Sequence, residues 1–123
     1  MSIIELTSEN FASTVEQADT ILIDFWASWC GPCRRFAPIF EAAAEEHSDL
    51  TFAKLDTEAH PDIAQALGIG GIPTLMVAKK GKQIFNNAGA LSRAQLESVI
   101  TEVRAFDPDQ AEPASKNAQA ESK

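Results

Sequence analysis

The sequence predicts an α/β fold, a central five-stranded mixed β-sheet flanked by four helices in the order βαβαβαββα. Three observations carry this. Strand-like and helix-like stretches alternate up to Ala78, and strands joined through helices run parallel. The turn-rich Lys79-Lys80-Gly81-Lys82 then reverses the chain between two strand-like runs, so the last pair is an antiparallel hairpin. Finally, 123 residues with 45% apolar content suffice for one core.

Ile3, Ile4 and Leu6 make a short first strand. Phe11 and Val15 share one face of a first helix, with Ser8 as its expected cap. Ile21 to Ala27 is apolar except for Asp24, the pattern of a central strand buried on both faces. A helix follows from about Cys33 to His47. Its Phe36, Ile39, Phe40 and Ala43 recur at helical spacing, and Pro38 inside it predicts a kink. Thr51 to Leu55 is the third strand. Pro61 suits the first turn of a short helix carrying Ile63, Ala64 and Leu67 and closed by Gly68. Thr74 to Ala78 and Gln83 to Ala88 are the hairpin strands. Ser92 and Gln95 form a capping box for the last helix, which buries Leu96, Val99, Ile100 and Val103 and ends near Phe106.

From Asp107 to Lys123 the composition changes. These residues hold four alanines, four acids, two lysines and two prolines, and no large apolar side chain. Such a segment buries too little surface to offset its ordering entropy. The expected organisation is a domain over 1–106 and a disordered acidic tail over 107–123.

The balance of 10 basic against 18 acidic residues gives a net charge of −8. That sign repels phosphate backbones and anionic lipid, so neither nucleic acid nor membrane is an expected partner. No apolar run reaches the roughly 18 residues of a spanning helix. The start, Met-Ser-Ile-Ile-Glu-Leu, lacks the basic and apolar regions of a secretory signal, so a reducing cytoplasm is the expected compartment.

Both cysteines sit in Trp29-Cys30-Gly31-Pro32-Cys33, at the exit of the central strand and the start of the kinked helix. Two intervening residues let the sulfurs close a small ring without moving the fold, and so short a loop stabilises little by entropy. Cys30 lies where helix amides point outward, which favours a thiolate there. Cys33, one turn further in, is expected to be more shielded and to act second, as two-step thiol–disulfide exchange requires. Pro32 stiffens the ring at no hydrogen-bond cost, and a partly exposed Trp29 offers apolar contact to a polypeptide. The rivals are a pair of inert core thiols and a metal site. Zinc wants four ligands where the pair supplies two, and His47 and His60 match no zinc spacing, so no metal is expected.

Two further features bear on that segment. Strand alternation puts Asp24 on the face of Trp26, under the helix. Burial raises the pKa of such a carboxylate, which suits it to exchange a proton with Cys33, with Lys54 on the neighbouring strand as its cationic partner. A hydrogen-bonded structural aspartate is the alternative. Gly70-Gly71-Ile72-Pro73-Thr74 reads either as a tight turn with a cis proline or as an ordinary loop.

Phe-Trp-Ala-Ser-Trp-Cys-Gly-Pro-Cys, then Gly-Ile-Pro-Thr, then Gly89-Ala90-Leu91 resemble the thioredoxin family in order and spacing, over essentially residues 1–106. The Gly-Pro dipeptide resembles the reducing branch rather than disulfide isomerases, which usually carry Gly-His. The resemblance implies a thioredoxin fold and a protein-disulfide reductase that acts as a redox carrier. It implies Cys30 as nucleophile, Cys33 as resolving thiol, Asp24 as proton-transfer group with Lys54 as its partner, and Pro73 as a cis-proline facing the disulfide. Trp29, Gly31, Pro32, Gly71, Ile72, Gly89 and Ala90 resemble the family's substrate-docking surface. No bound cofactor is implied beyond the redox-active Cys30–Cys33 disulfide. NADPH enters indirectly through thioredoxin reductase, the other partners are disulfide-containing proteins, and a monomer is expected. Two positions depart from the pattern: Arg34 stands where many members have Lys, and Gly70 replaces a larger residue. A clamp or assembly subunit without turnover, and an oxidant or isomerase, are the competing functions.

Overall fold

The computed structural model describes residues 3–109. The elements run β1 (Ile3–Glu5), α1 (Phe11–Gln17), β2 (Thr20–Trp26), α2 (Gly31–Glu46), β3 (Thr51–Asp56), α3 (Pro61–Ala66), β4 (Thr74–Lys79), β5 (Lys82–Ala88) and α4 (Arg93–Ala105). This is the order the sequence predicts. The strands form one sheet in the order β1-β3-β2-β4-β5. β3 pairs parallel with β1 and with β2, while β4 pairs antiparallel with β2 and with β5.

Strand alternation sends successive side chains of the sheet to two cores. On one face, Leu22, Phe52, Leu75 and Val77 meet Phe36, Phe40, Ala43 and Ala44 of α2 and Leu96, Ile100 and Val103 of α4. The Phe40 ring meets Phe52 edge-on at 5.2 Å, and each such buried phenylalanine contributes roughly 1.5–3 kcal/mol. On the other face, Ile21, Ile23, Phe25, Leu55 and Met76 pack against α1 through Phe11 and Val15 and against α3 through Ile63 and Leu67. β2 is buried over six of its seven residues because both layers cover it.

Polar contacts close the helix ends. Ser92 and Gln95 make the expected capping box on α4. Lys79 Nζ donates to the carbonyls of Val103 (2.7 Å), Arg104 (3.3 Å) and Phe106 (2.6 Å) at the other end of that helix. Arg93 pairs with Glu46 and Glu97, His47 Nε2 lies 2.9 Å from Glu97, and Arg104 pairs with Asp49. These contacts staple the end of α2 to α4.

Some local expectations change. Ser8 does not cap α1: Asn10 is the N-cap residue, and Ser8 Oγ donates instead to Asp62 Oδ1 across the chain at 2.9 Å. α2 begins at Gly31 rather than Cys33, since Pro32 needs no amide partner in a first turn. The hairpin turn is tighter than the four residues expected. Lys79 and Lys82 pair as strand residues, and Lys80 and Gly81 turn the chain with φ of 53° and 79°. Two successive positive φ values match the twist of the strands.

Beyond α4, Pro108 is buried and Asp109 pairs with Lys80 at 3.3 Å. The rest of the expected acidic tail, 110–123, lies outside the described residues.

Candidate active site

β2 delivers the chain to the cysteines. It ends at Trp26, and the Cys30 N–H then donates to the Ala27 carbonyl at 3.2 Å. Cys30 takes extended backbone angles as the N-cap of α2, and the N–H of Cys33 points at its Sγ from 3.1 Å. One of the orphan donors of the helix start is thereby aimed at the sulfur, where it favours negative charge. The two sulfurs are joined as a disulfide, with the Cα atoms 5.2 Å apart.

The expected difference in shielding is not found, since Cys30 and Cys33 are each 3% exposed. Their surroundings differ instead. Cys30 Sγ lies 3.7 Å from the Ile72 carbonyl oxygen, under the loop before β4. Cys33 lies on the other side, against a cavity of about 260 Å³ that Asp24, Trp26, Ser28, Arg34 and Lys54 also line.

The loop from Gly70 to Thr74 brings the second half of the site. The Ile72–Pro73 bond is cis, and Thr74 Oγ1 donates to the Gly71 carbonyl to close the turn. The Gly89 N–H donates to the Pro73 carbonyl at 2.7 Å, so the end of β5 joins the same surface. A methyl group on Gly71 would sit 3.7 Å from Ala88 Cβ. Trp29 is 65% exposed, Pro32, Gly71, Gly89 and Ala90 are exposed, and Gly31 and Ile72 are half-buried. Of the residues expected to form a docking surface, Trp29, Gly31 and Pro32 adjoin the cysteines in the chain, and the Cys30–Ile72 and Gly89–Pro73 contacts bring Ile72 and Gly89 to the same region. Gly70 has open space around it and no left-handed φ, so no glycine is required there.

Beneath the sulfurs, Asp24 is 4% exposed and its Oδ1 has no hydrogen-bond partner among the described residues. Burial pushes its pKa up to about 7, against the opposing pull of the Lys54 charge. Lys54 faces Asp24 across the β2–β3 register, yet the two do not form an ion pair. Its ammonium instead lies 5.3 Å from the centre of the Trp26 ring. The expected partner therefore acts through space. The Trp26 indole N–H is likewise buried and has no hydrogen-bond partner among the described residues.

Sequence reasoning missed Ser28 and Arg35. Arg34 Nη1 donates to the Ser28 carbonyl at 2.8 Å, folding the guanidinium back over the loop that carries Trp29 and Cys30. The only signal in the sequence was a basic pair directly after Cys33.

The thioredoxin family model matches residues 2–102. A relative from Streptomyces coelicolor that bears a thioredoxin name is 49% identical over 120 residues, 98% of this chain and 90% of that protein. A thioredoxin of Alicyclobacillus acidocaldarius is 40% identical over 99 residues, covering 80% of this chain and 94% of its own. A solved structure of Plasmodium falciparum thioredoxin superposes with a TM-score of 0.77 at 29% identity, over 81% of this chain and 98% of that one.

Proposed function

The chain belongs to the thioredoxin family and is a thiol–disulfide oxidoreductase, and from that premise we propose that it reduces disulfides in cytoplasmic proteins. The observation that carries this reading is the Cys30–Cys33 pair with its two unlike flanks, one cysteine at a helix N-cap and the other lining a cavity together with a buried carboxylate.

The reaction starts from the reduced pair. The Cys30 thiolate attacks one sulfur of the substrate disulfide. The Cys30–substrate S–S bond forms, the substrate's own S–S bond breaks, and the released thiolate takes up a proton. Asp24, ionised, accepts the proton of the Cys33 thiol. The Cys33 thiolate then attacks Cys30 Sγ, closing Cys30–Cys33 and expelling the second substrate thiolate, which is protonated in turn. Two electrons pass from the protein to the substrate. A pKa near 7 lets Asp24 both take and return this proton near neutral pH.

Trp29, Gly31, Pro32, Gly71, Ile72, Gly89 and Ala90 dock the substrate polypeptide, Ile72 lending its backbone and Pro73 facing the sulfurs. Thioredoxin reductase, drawing on NADPH, returns the disulfide to the dithiol. The redox domain is residues 1–106, with 107–123 an appended acidic segment. It works as a monomer: the exposed large apolar side chains among the described residues are Ile4, Trp29 and Phe106, at three separate places along the chain. Among the described residues, no helix is long and apolar enough to cross a membrane.

The test is the equilibrium reduction potential of the pair, titrated against dithiothreitol with Trp26 and Trp29 fluorescence as the signal. A value of roughly −270 mV, as for reducing members of this family, is expected. A value near roughly −120 mV would make the protein an oxidant and overturn the reading.

A further inference from the structure

The described arginines fall into two pairs. Arg93 and Arg104 are bound to carboxylates, to Glu46, Glu97 and Asp49. Arg34 and Arg35 are exposed and have no acidic partner among the described residues. Both curl toward the active-site turn. A methyl group on Gly31 would lie 3.8 Å from Arg35 Nη1 and 4.0 Å from Arg34 Nη2. Gly31 lies between the two cysteines, so both guanidiniums lie beside the active-site turn in a chain whose net charge is −8.

Resting on the reductase reading, we propose that Arg34 and Arg35 make disulfides flanked by acidic residues the preferred substrates, with a carboxylate side chain next to the attacked cysteine received by the two guanidiniums beside Gly31. Guanidinium suits this task because its planar donors match a carboxylate, singly or in pairs. Arg34 is held in place in advance. Its Nη1 is committed to the Ser28 carbonyl while Nη2 faces Gly31, so less freedom is lost when a carboxylate arrives. No acid of the neighbouring strand end competes in hydrogen bonding. Asp56, opposite Trp26 on β3, turns its carboxylate to the N–H groups of Glu58 and Ala59. The overall negative charge acts against an acidic substrate at a distance. At physiological salt the screening length is about 8 Å, so contact with the two cations outweighs the remoter acids. The exchange chemistry is unchanged; the arginines select which disulfide reaches Cys30.

The experiment uses disulfide dimers of one short single-cysteine peptide, differing only in the residue beside the cysteine: Glu, Gln or Lys. Second-order rates of reduction by the full-length reduced protein are divided by the rates of the same dimers with dithiothreitol, which removes their intrinsic reactivity. The normalised Glu rate is expected to exceed the Lys rate by roughly tenfold at physiological salt and to approach it at about 1 M salt. R34Q/R35Q should level the ratio, and R34K/R35K should keep most of it. Equal Glu and Lys rates in the unaltered protein, a preference for Lys, or a Glu preference that survives R34Q/R35Q would each overturn the proposal. If none of the three dimers is reduced, the reductase reading fails instead.

Discussion

Asp24 and Cys33 line the same cavity, one from β2 and the other from the first turn of α2, and Asp24 Oδ1 has no hydrogen-bond partner among the described residues. An uncompensated buried carboxylate is costly, and the cost is felt only when the group is ionised. The fold thus keeps a group that weakens it at neutral pH.

That cost can be measured. The Asp24 pKa is raised in the folded protein, to about 7 from the ordinary carboxylate value of 3.8. The folded state therefore binds the proton more tightly than the unfolded chain. Stability falls as pH rises between those two values, and the full penalty is present above about pH 7. Asp24→Asn removes the ionisation. The oxidised variant should be more stable than the parent at pH 8, by at most roughly 4 kcal/mol, with the gain shrinking toward pH 4. Urea unfolding at the two pH values checks this; an equal gain at both would mean that the effect is not ionisation.

The same substitution should alter the kinetics. If Asp24 receives the Cys33 proton, the rate at which the mixed disulfide resolves should rise through about pH 7 in the parent and lose that inflection in Asp24→Asn. Stopped-flow reduction of a peptide disulfide across pH 5–9 gives both profiles. A variant that keeps the inflection would remove Asp24 from the proton path.

The unlike flanks of the two sulfurs predict unlike variants. Cys30→Ser should abolish disulfide reduction. Cys33→Ser should still attack and should accumulate a covalent mixed disulfide with its substrate, visible by mass spectrometry as protein plus peptide and released by dithiothreitol. Adduct on Cys33→Ser and none on the Cys30→Ser protein assigns attack to Cys30; the reverse pattern would exchange the two roles.

Gly70 stands in open space without a left-handed φ. Replacing it by alanine removes freedom from the unfolded chain and strains nothing in the folded one. Gly70→Ala should therefore stabilise by about 0.4–1 kcal/mol in denaturant unfolding. Destabilisation would show that the loop needs glycine for a reason its backbone does not reveal.

Lys79 carries a structural prediction. Its ammonium donates to three carbonyls at the end of α4, where the helix dipole also favours a cation. Lys79→Met leaves those carbonyls to solvent and should cost about 1.5–3 kcal/mol. Faster hydrogen exchange confined to the last turn of α4 would accompany it, whereas unchanged exchange there would place the loss elsewhere.

Much of this was legible in the sequence because periodicity is a local property. The apolar run Ile21 to Ala27, the stripe Phe36, Ile39, Phe40 and Ala43, and the Ser92–Gln95 capping box each sit within a few turns or residues, and each formed as expected. The cysteine pair likewise carries its chemistry in two residues of spacing. The capping of α1 was misread because Ser8 found a stronger partner in Asp62, 54 residues away, and nothing local announces that.

What the sequence determined by itself is the order of the elements, the identity of the redox pair and the anomaly of an aspartate in an apolar strand. What only the tertiary structure decided is how distant groups meet. Lys54 faces Asp24 in register yet gives its ammonium to the Trp26 ring. The Ile72 carbonyl and Gly89 arrive beside Cys30 and Pro73 through loop contacts. Arg34 and Arg35 turn back over the very turn they follow. The physical reason is the range of the forces. Hydrophobic patterning and backbone propensity act over neighbouring residues and are written in the chain. The pairing of long polar side chains depends on which surfaces packing brings within a few ångströms, and that exists only once both cores have closed.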